Sequence, residues 1–135
     1  CDPIHAEADF GRSPLDRYMA NANRENFLVV QIEEPEAVQH IETLASLPGV
    51  DVLFVGLGDL TIGLGKNGVA DDPEVKGILR RGVEACNKHG KLAGIPCIPE
   101  RVANYRELGF RFFNVFSDYR GIFNGARHAL AAAKP

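Results

Sequence analysis

The chain has 135 residues, of which 45% are hydrophobic, and its formal net charge is −3. This length suffices for one modest core, and we expect a single domain over residues 1–135. The acidic balance, without a cluster of basic and aromatic residues, argues against a nucleic-acid-binding surface. No apolar run approaches the roughly 20 residues that a membrane-spanning helix needs.

The first half of the chain predicts two helices and two strands in alternation. Ser13 is a suitable N-cap for a first helix that runs to about residue 24. A hydrophobic run over residues 27–32 predicts the first strand. Apolar residues three and four positions apart predict a helix over residues 35–47, and a second hydrophobic run predicts a strand over residues 50–55.

The second half continues the alternation after a glycine-rich loop, which we expect over residues 56–72. Asp72 starts the next helix and Gly90 ends it. The remaining expected elements are a strand over residues 92–95, a helix over 99–109, a strand over 112–116 and an alanine-rich helix over 119–133. Such alternation indicates an α/β fold with a parallel sheet. Four strand–helix units make half of an eightfold barrel or most of a small doubly wound sheet.

Carboxylates follow the first two predicted strands. Strand alternation puts Gln31 and Glu33 on one face, and Asp59 lies just beyond the second strand. In a parallel strand–helix–strand unit both C-terminal strand ends lie at one edge, so Glu33 and Asp59 are expected to meet. Two such carboxylates repel unless a proton or a cation lies between them, and Mg²⁺ favours oxygen ligands. The sequence therefore predicts a metal site, and polar groups at this end of the face suit the mouth of a barrel.

The alternative for Glu33 is a solvated strand-end residue or a cap of the next helix. The alternative for residues 56–60 is an ordinary tight turn. This glycine-containing segment is not a dinucleotide fingerprint, because Thr61 replaces the third glycine, and it lacks the Lys-Ser/Thr of a P-loop. Its unshielded backbone N–H groups could hold a carboxylate near a helix N-terminus.

No nucleophile with a partner base is visible in the sequence, so any chemistry is expected to be metal-assisted. The histidines are expected on the surface; they are His5, His40, His89 and His128. The cysteines are odd in number and widely spaced; they are Cys1, Cys86 and Cys97. This usage suits reduced thiols and predicts a cytoplasmic location. Cys97 could face the mouth, but no neighbour in the sequence would lower its pKa.

Several motifs together resemble the HpcH/HpaI aldolase family. They are Gln31-Ile32-Glu33, Pro35-Glu36-Ala37-Val38, Leu47-Pro48-Gly49-Val50-Asp51 and Phe54-Val55-Gly56-Leu57-Gly58-Asp59-Leu60-Thr61. The segments around Asp72, Tyr105 and Asp118 extend the resemblance over essentially the whole chain. The Gln-x-Glu and Gly-x-x-Asp-Leu pair is the specific part.

The resemblance implies a (β/α)8 (TIM) barrel of which this chain is the second half, strands five to eight with one preceding helix. It implies a class II lyase that cleaves 2-keto-3-deoxy or 4-hydroxy-2-oxo acids to pyruvate and an aldehyde through a metal-stabilised enolate. Glu33 and Asp59 match the family's metal-binding carboxylates, and Gln31 matches its active-site glutamine. The backbone N–H groups of Gly58 and Asp59 match those that hold the pyruvate carboxylate. The metal would be Mg²⁺, with Mn²⁺ or Co²⁺ as alternatives.

The chain also departs from the family pattern. Leu57-Gly58 replaces the usual Pro-Ala. The family's catalytic His and pyruvate-binding Arg come from early strands and match no residue here, so the isolated chain is expected to be a poor catalyst. The resemblance further implies a homo-oligomer in which the last helix packs on a neighbouring subunit.

Two alternative functions stay open at this point. One is an acyl-CoA lyase similar to citrate lyase β or malyl-CoA lyase, which would need a basic patch at the mouth. Only Lys66 and Arg120 are candidates for such a patch. The other is a non-catalytic half-barrel, which the missing His and Arg favour.

Overall fold

A four-stranded parallel sheet, with its strands side by side in chain order, organises this protein. The computed structural model describes residues 10–133. The sequence assignments of Cys1 and His5 therefore lie outside the described residues. The strands are β1 (Leu28–Ile32), β2 (Val50–Val55), β3 (Leu92–Pro96) and β4 (Phe112–Asn114).

Helices connect the strands and flank the sheet. They are α1 (Leu15–Glu25), α2 (Pro35–Gln39), α3 (Ile41–Ser46), α4 (Leu57–Gly63), α5 (Pro73–Lys88), α6 (Val102–Leu108, after a 3₁₀ turn over Pro99–Arg101) and α7 (Asp118–Ala132). The expected α/β class with a parallel sheet is confirmed. Within residues 10–133 no helix is both long and apolar enough to cross a bilayer.

Three helix predictions need correction. The N-cap of α1 is Pro14, whose ψ of 139° is not helical, so Ser13 lies one residue too early to cap it. The helix predicted over residues 35–47 is two helices, because His40 leaves the α-helical pattern and its N–H bonds to the Ala37 carbonyl at 3.0 Å. The predicted loop over residues 56–72 contains α4, whose Leu60 is fully buried. The glycines of this segment favoured a loop prediction and obscured the apolar Leu60 in the sequence.

The last strand is shorter than the predicted 112–116. The ladder between β3 and β4 ends where Pro96 pairs with Asn114, and the Cys97 N–H bonds to the Asn114 carbonyl at 3.0 Å. Other boundaries are close to those expected. The Asp72 side chain accepts the Glu74 N–H at 2.9 Å and caps α5, and Gly109 ends α6 with a φ of 110°.

The two faces of the sheet differ sharply in burial. The helix-covered face carries the buried residues Ile32, Leu53, Val55, Ala93 and Ile95, which belong to one core cluster with the apolar side of α5. The opposite face carries an aromatic contact in which Phe112 lies 6.1 Å from Phe54 and 6.0 Å from Phe27, centroid to centroid. The register pairs Gln31 with Phe54 and Gly94 with Phe112, so these residues all share this second face.

Alanine substitutions at two glycines test the packing at the end of α6. A Cβ at Gly109 would overlap Cγ1 of Val83, and its φ is left-handed. We expect Gly109→Ala to lower the free energy of unfolding by about 2–4 kcal/mol, from strain and overpacking together. Chemical denaturation measures this change.

Gly125→Ala in α7 is the matched control, because no atom lies within 4 Å of a Cβ built there. Alanine is the better helix former, so this variant should gain roughly 0.5–1 kcal/mol. Equal stability changes in the two variants would contradict the packing described for Gly109.

Candidate functional site

The C-terminal ends of β1 and β2 bring together the residues that the sequence singled out. Gln31 and Glu33 lie on the same face of the sheet, and the Gln31 Nε2 donates a hydrogen bond to Glu33 Oε2. Beyond the strands, the Gly56 N–H still bonds to the Ile32 carbonyl at 2.9 Å. This bond fixes the start of the next segment directly beside Glu33.

Gly56 is the position on which this arrangement depends sterically. A Cβ at residue 56 would lie 2.9 Å from Gln31 Nε2, 2.9 Å from Glu33 Cβ and 3.2 Å from Glu33 Oε2. Real Cβ atoms essentially never approach heavy atoms so closely, so the pair of polar side chains occupies the space that any other residue would need. The glycine is therefore required by the neighbouring side chains and not by the turn, because its φ of −76° is accessible to other residues.

Asp59 lies in the first turn of α4, and Gly56 is the N-cap of this helix. Its side chain is exposed at the edge where Gln31 and Glu33 end. The first N–H of the helix ladder is that of Leu60, which bonds to the Gly56 carbonyl at 3.0 Å. The N–H groups of Gly58 and Asp59 precede it and have no acceptor within the helix. The segments that carry Glu33 and Asp59 thus meet at one edge of the sheet. That the two carboxylates share a cation stays a prediction.

Thr61 is a positioning residue that the sequence analysis considered only as a replaced glycine. It is the one buried polar side chain among the described residues. Its Oγ1 lies 2.8 Å from the Leu57 carbonyl oxygen and 2.9 Å from that of Gly58. The hydroxyl therefore braces the first turn of α4, which carries Asp59. The sequence offered no signal for this role, because residues 56–72 were predicted to be a loop and burial is a property of the tertiary structure.

Asn114 is a second residue that sequence reasoning missed. It is two residues after Phe112 on β4, so it lies on the same face as Gln31 and Phe54. These residues line one open cavity of about 450 Å³. The alternation along β4 was the signal that could have identified it.

The carboxylates suit a hard divalent cation by their chemistry. Within residues 10–133 no group of three or more His, Cys, Asp or Glu side chains comes together as a metal site. A cation at Glu33 and Asp59 would thus complete its shell with water or substrate oxygens, which Mg²⁺ readily accepts. The crowding around Gly56 holds Glu33 in place for such a role.

The other residues considered for chemistry have contacts of their own away from Gln31 and Glu33. Burial raises the pKa of the Cys97 thiol, so the expectation that nothing lowers it is confirmed. The hydrogen bonds that Lys66 donates to Glu74 and Asp72, over 3.1 and 3.2 Å, raise the pKa of its ammonium group. Arg120 lies over the Tyr119 ring, 5.9 Å from its centroid. Lys66 is therefore paired with two carboxylates, while Arg120 contacts an aromatic ring.

Of the described histidines, His40 and His128 are exposed, as expected. His89 is half-buried, and its Nε2 lies 2.8 Å from Glu42 Oε1. Lys88 also contacts Glu42, and these two hydrogen bonds lower the pKa of the Glu42 carboxyl. This cluster joins the end of α5 to α3, away from Gln31 and Glu33.

Comparison with known proteins identifies the family. Residues 5–123 match the family model described as HpcH/HpaI aldolase/citrate lyase. The chain belongs to the HpcH/HpaI aldolase/citrate lyase family. The resemblance noted in the sequence is confirmed.

The chain spans about half the length of the curated relatives it matches. It is 37% identical over 114 residues to a hydroxypyruvate/pyruvate aldolase from Paraburkholderia phytofirmans, an alignment that covers 84% of this chain and 44% of that protein. It is 39% identical over 125 residues to a 5-keto-4-deoxy-D-glucarate aldolase from Klebsiella pneumoniae, covering 92% of this chain and 48% of that protein.

A solved structure of an HpcH/HpaI family protein from Burkholderia cenocepacia superimposes with a TM-score of 0.81 at 33% identity. The superposition covers 95% of this chain and 49% of the solved chain. The described sheet and helices therefore match half of an HpcH/HpaI aldolase barrel, and the expected fold class is confirmed. The assignment of residues 1–135 as one domain at the C-terminal end of a longer barrel stays a prediction.

Proposed function

We propose that this HpcH/HpaI family chain forms part of a metal-dependent pyruvate aldolase. The reaction is the cleavage of a 2-keto-3-deoxy or 4-hydroxy-2-oxo acid to pyruvate and an aldehyde. The observation that carries the proposal is the Gln31–Glu33 hydrogen bond seated against Gly56 at the C-terminal strand ends. In parallel barrels this edge is where active sites lie. Two relatives that bear aldolase names support the same reaction.

Each site residue has a role that follows from its placement. Glu33 and Asp59 hold the divalent cation, Mg²⁺ or alternatively Mn²⁺ or Co²⁺, which when bound acts as a Lewis acid toward the substrate oxygens. Gln31 donates to Glu33 and so orients that carboxylate. The N–H groups of Gly58 and Asp59 hold the carboxylate of the 2-oxo acid, since they precede the helix ladder of α4.

The acyl-CoA lyase alternative is the weaker one. Its phosphate-rich cofactor would need free cations at the mouth, but Lys66 is already paired with Asp72 and Glu74. The names of the curated relatives reported above also favour an aldolase. The non-catalytic half-barrel differs from the proposal in predicting no turnover at all.

Association with a neighbouring subunit is the second part of the proposal. No residue of α7 is buried, and Ile122 is 75% exposed while Phe123 is 61% exposed. At the β1 edge of the sheet Phe27 is 60% exposed. Open strand edges and apolar surfaces of this kind are typical of interfaces. We propose a homo-oligomer in which α7 packs on a neighbour, in a cytoplasmic protein with reduced Cys86 and Cys97.

The function is tested by pyruvate release. The protein expressed from its complete reading frame, given Mg²⁺ and a 4-hydroxy-2-oxo acid, should release pyruvate at a rate within the ordinary enzymatic range of roughly 1–10³ per second. Cleavage of malyl-CoA in place of the oxo acid would favour the acyl-CoA lyase. The isolated 135-residue chain is the control, and it should release little pyruvate because no residue in it matches the family's His and Arg.

The metal site is tested by Mn²⁺ binding, measured by titration calorimetry or electron paramagnetic resonance. We expect Glu33→Gln and Asp59→Asn each to weaken Mn²⁺ affinity by more than about tenfold, since even indirect partners of metal ligands have effects of that size. Glu34→Gln removes the same charge one residue away, on an exposed side chain, and should leave affinity unchanged. Identical affinities in all three variants would exclude these carboxylates as ligands.

Association is tested by sedimentation. The purified 14.7 kDa chain should sediment as an oligomer, and Ile122→Glu should shift it toward smaller species because a charge would be buried in the interface. His128→Glu introduces the same side chain on the same helix and controls for charge alone. A stable, non-aggregating monomer of the unaltered chain would contradict the proposed interface.

A further inference from the structure

Helix α4 contacts the connection between β1 and α2 through glycines at both of its ends. The N-cap Gly56 lies against the Glu33 side chain. Gly63 is the last residue of the helix, and a Cβ built on it would lie 2.8 Å from Pro35 Cδ and 3.1 Å from Pro35 Cγ. Only glycine therefore permits the observed distance between this end of the helix and Pro35.

The partner of Gly63 cannot rotate out of the way. The Cδ atom of Pro35 belongs to a ring that is closed on the backbone nitrogen, so its position is fixed by the backbone. Pro35 is the first residue of α2 and follows Glu33 by two positions. A displacement at this contact would therefore have to move either α4 or the backbone that follows β1.

Asp59 lies between the two glycines along the helix. It is three positions after Gly56 and four positions before Gly63, and residues with these spacings lie along one side of an α-helix. Because both glycines contact residues of the segment 33–35, this side of α4 is the one that faces that segment. Asp59 is thereby placed on the side of the helix that approaches Glu33.

The rest of α4 is anchored in the core, where Leu60 is 0% and Thr61 is 1% exposed. With these residues held, an added atom at Gly63 would tilt the helix and move Asp59 relative to Glu33. Mg²⁺ needs oxygen ligands at about 2.0–2.1 Å in near-ideal octahedral geometry, whereas Ca²⁺ accepts about 2.3–2.6 Å and a flexible geometry. A tilt of α4 would therefore cost more binding free energy for Mg²⁺ than for Ca²⁺.

We propose that the contact between Gly63 and Pro35 positions Asp59 relative to Glu33, at a separation that favours a small cation such as Mg²⁺ over Ca²⁺. The inference rests on the proposed function, because it concerns the same two carboxylates, and it adds the residues that determine the metal preference. Gly63 and Pro35 are positioning residues, since they act on the cation only through the two carboxylates.

The test is a double-mutant cycle on cation binding, using the protein expressed from its complete reading frame. Mn²⁺ affinity is measured by electron paramagnetic resonance, and the Mg²⁺ and Ca²⁺ affinities are measured by competition with Mn²⁺. The variants are Gly63→Ala, Pro35→Ala and the double variant, and chemical denaturation records the stability of each. Gly77→Ala in α5 is the matched control, because no atom lies within 4 Å of a Cβ built there.

Gly63→Ala should weaken Mg²⁺ binding roughly tenfold, the lower end of the range for residues that orient metal ligands, and it should weaken Ca²⁺ binding less. Pro35→Ala should also lower the ratio of Mg²⁺ to Ca²⁺ affinity, because loss of Cγ and Cδ leaves the helix end unsupported. The double variant should recover most of both losses, since the added methyl group then occupies the space of the deleted ring atoms. Gly77→Ala should bind both cations as the parent does.

The ratio of the two affinities separates a positioning role from a merely structural one. If Glu33→Gln weakens cation binding but Gly63→Ala and Pro35→Ala keep the parental ratio, the positioning role is wrong and the metal site stands. Losses that multiply in the double variant also overturn it. If Gly63→Ala does not fold, the ratio in Pro35→Ala decides in the same way. If neither Glu33→Gln nor Asp59→Asn alters cation binding, the metal site fails and the inference fails with it.

Discussion

The parallel pairing of β1 with β2 is the constraint on which the candidate site depends. It brings both strand ends to one edge, and the bond from the Gly56 N–H to the Ile32 carbonyl at 2.9 Å extends the alignment past the strands. Glu33 is thereby fixed next to the N-terminus of α4. Without this pairing, Asp59 would lie on a segment unrelated to that of Gln31 and Glu33.

The close contact of Gly56 with the Gln31 and Glu33 side chains gives the aligned strand ends a defined shape. The Gln31–Glu33 pair occupies the volume of a Cβ, and the Thr61 hydroxyl braces the turn that follows. The Gln31 and Glu33 side chains therefore support each other against the Gly56 backbone, and the buried Thr61 supports the turn that carries Asp59. Such support is what a metal or substrate site needs in order to hold its ligands in one geometry.

The unequal faces of the sheet explain why this chain suits a larger assembly. One face is sealed by α3, α5 and α6 and contains the buried cluster. The other presents aromatic rings and two amides to an open cavity, and α7 has no buried residue. A self-contained open sheet covers both faces with helices. The match to half of each relative is in keeping with this one-sided burial.

Several basic side chains are paired with carboxylates near the two ends of α5. Lys66 is neutralised by Asp72 and Glu74, and Lys88 with His89 surrounds Glu42 at the opposite end of α5. The strand-end edge carries Glu33, Asp59 and the N–H groups that precede the helix ladder of α4. The proposed cation and organic acid would bind at these groups.

The sequence by itself determined the order of the four strands, the parallel sheet and the residues at the strand ends, because strand alternation and helical spacing are local properties of Gln31, Glu33 and the runs around them. It also carried the family resemblance. Only the tertiary structure revealed α4, since the burial of Leu60 depends on its neighbours and glycines obscure the local pattern. It alone decided that Gly56 must be glycine and that Asn114 shares a cavity with Gln31. Both arrangements depend on which strands pair and in which register, and no local propensity encodes that.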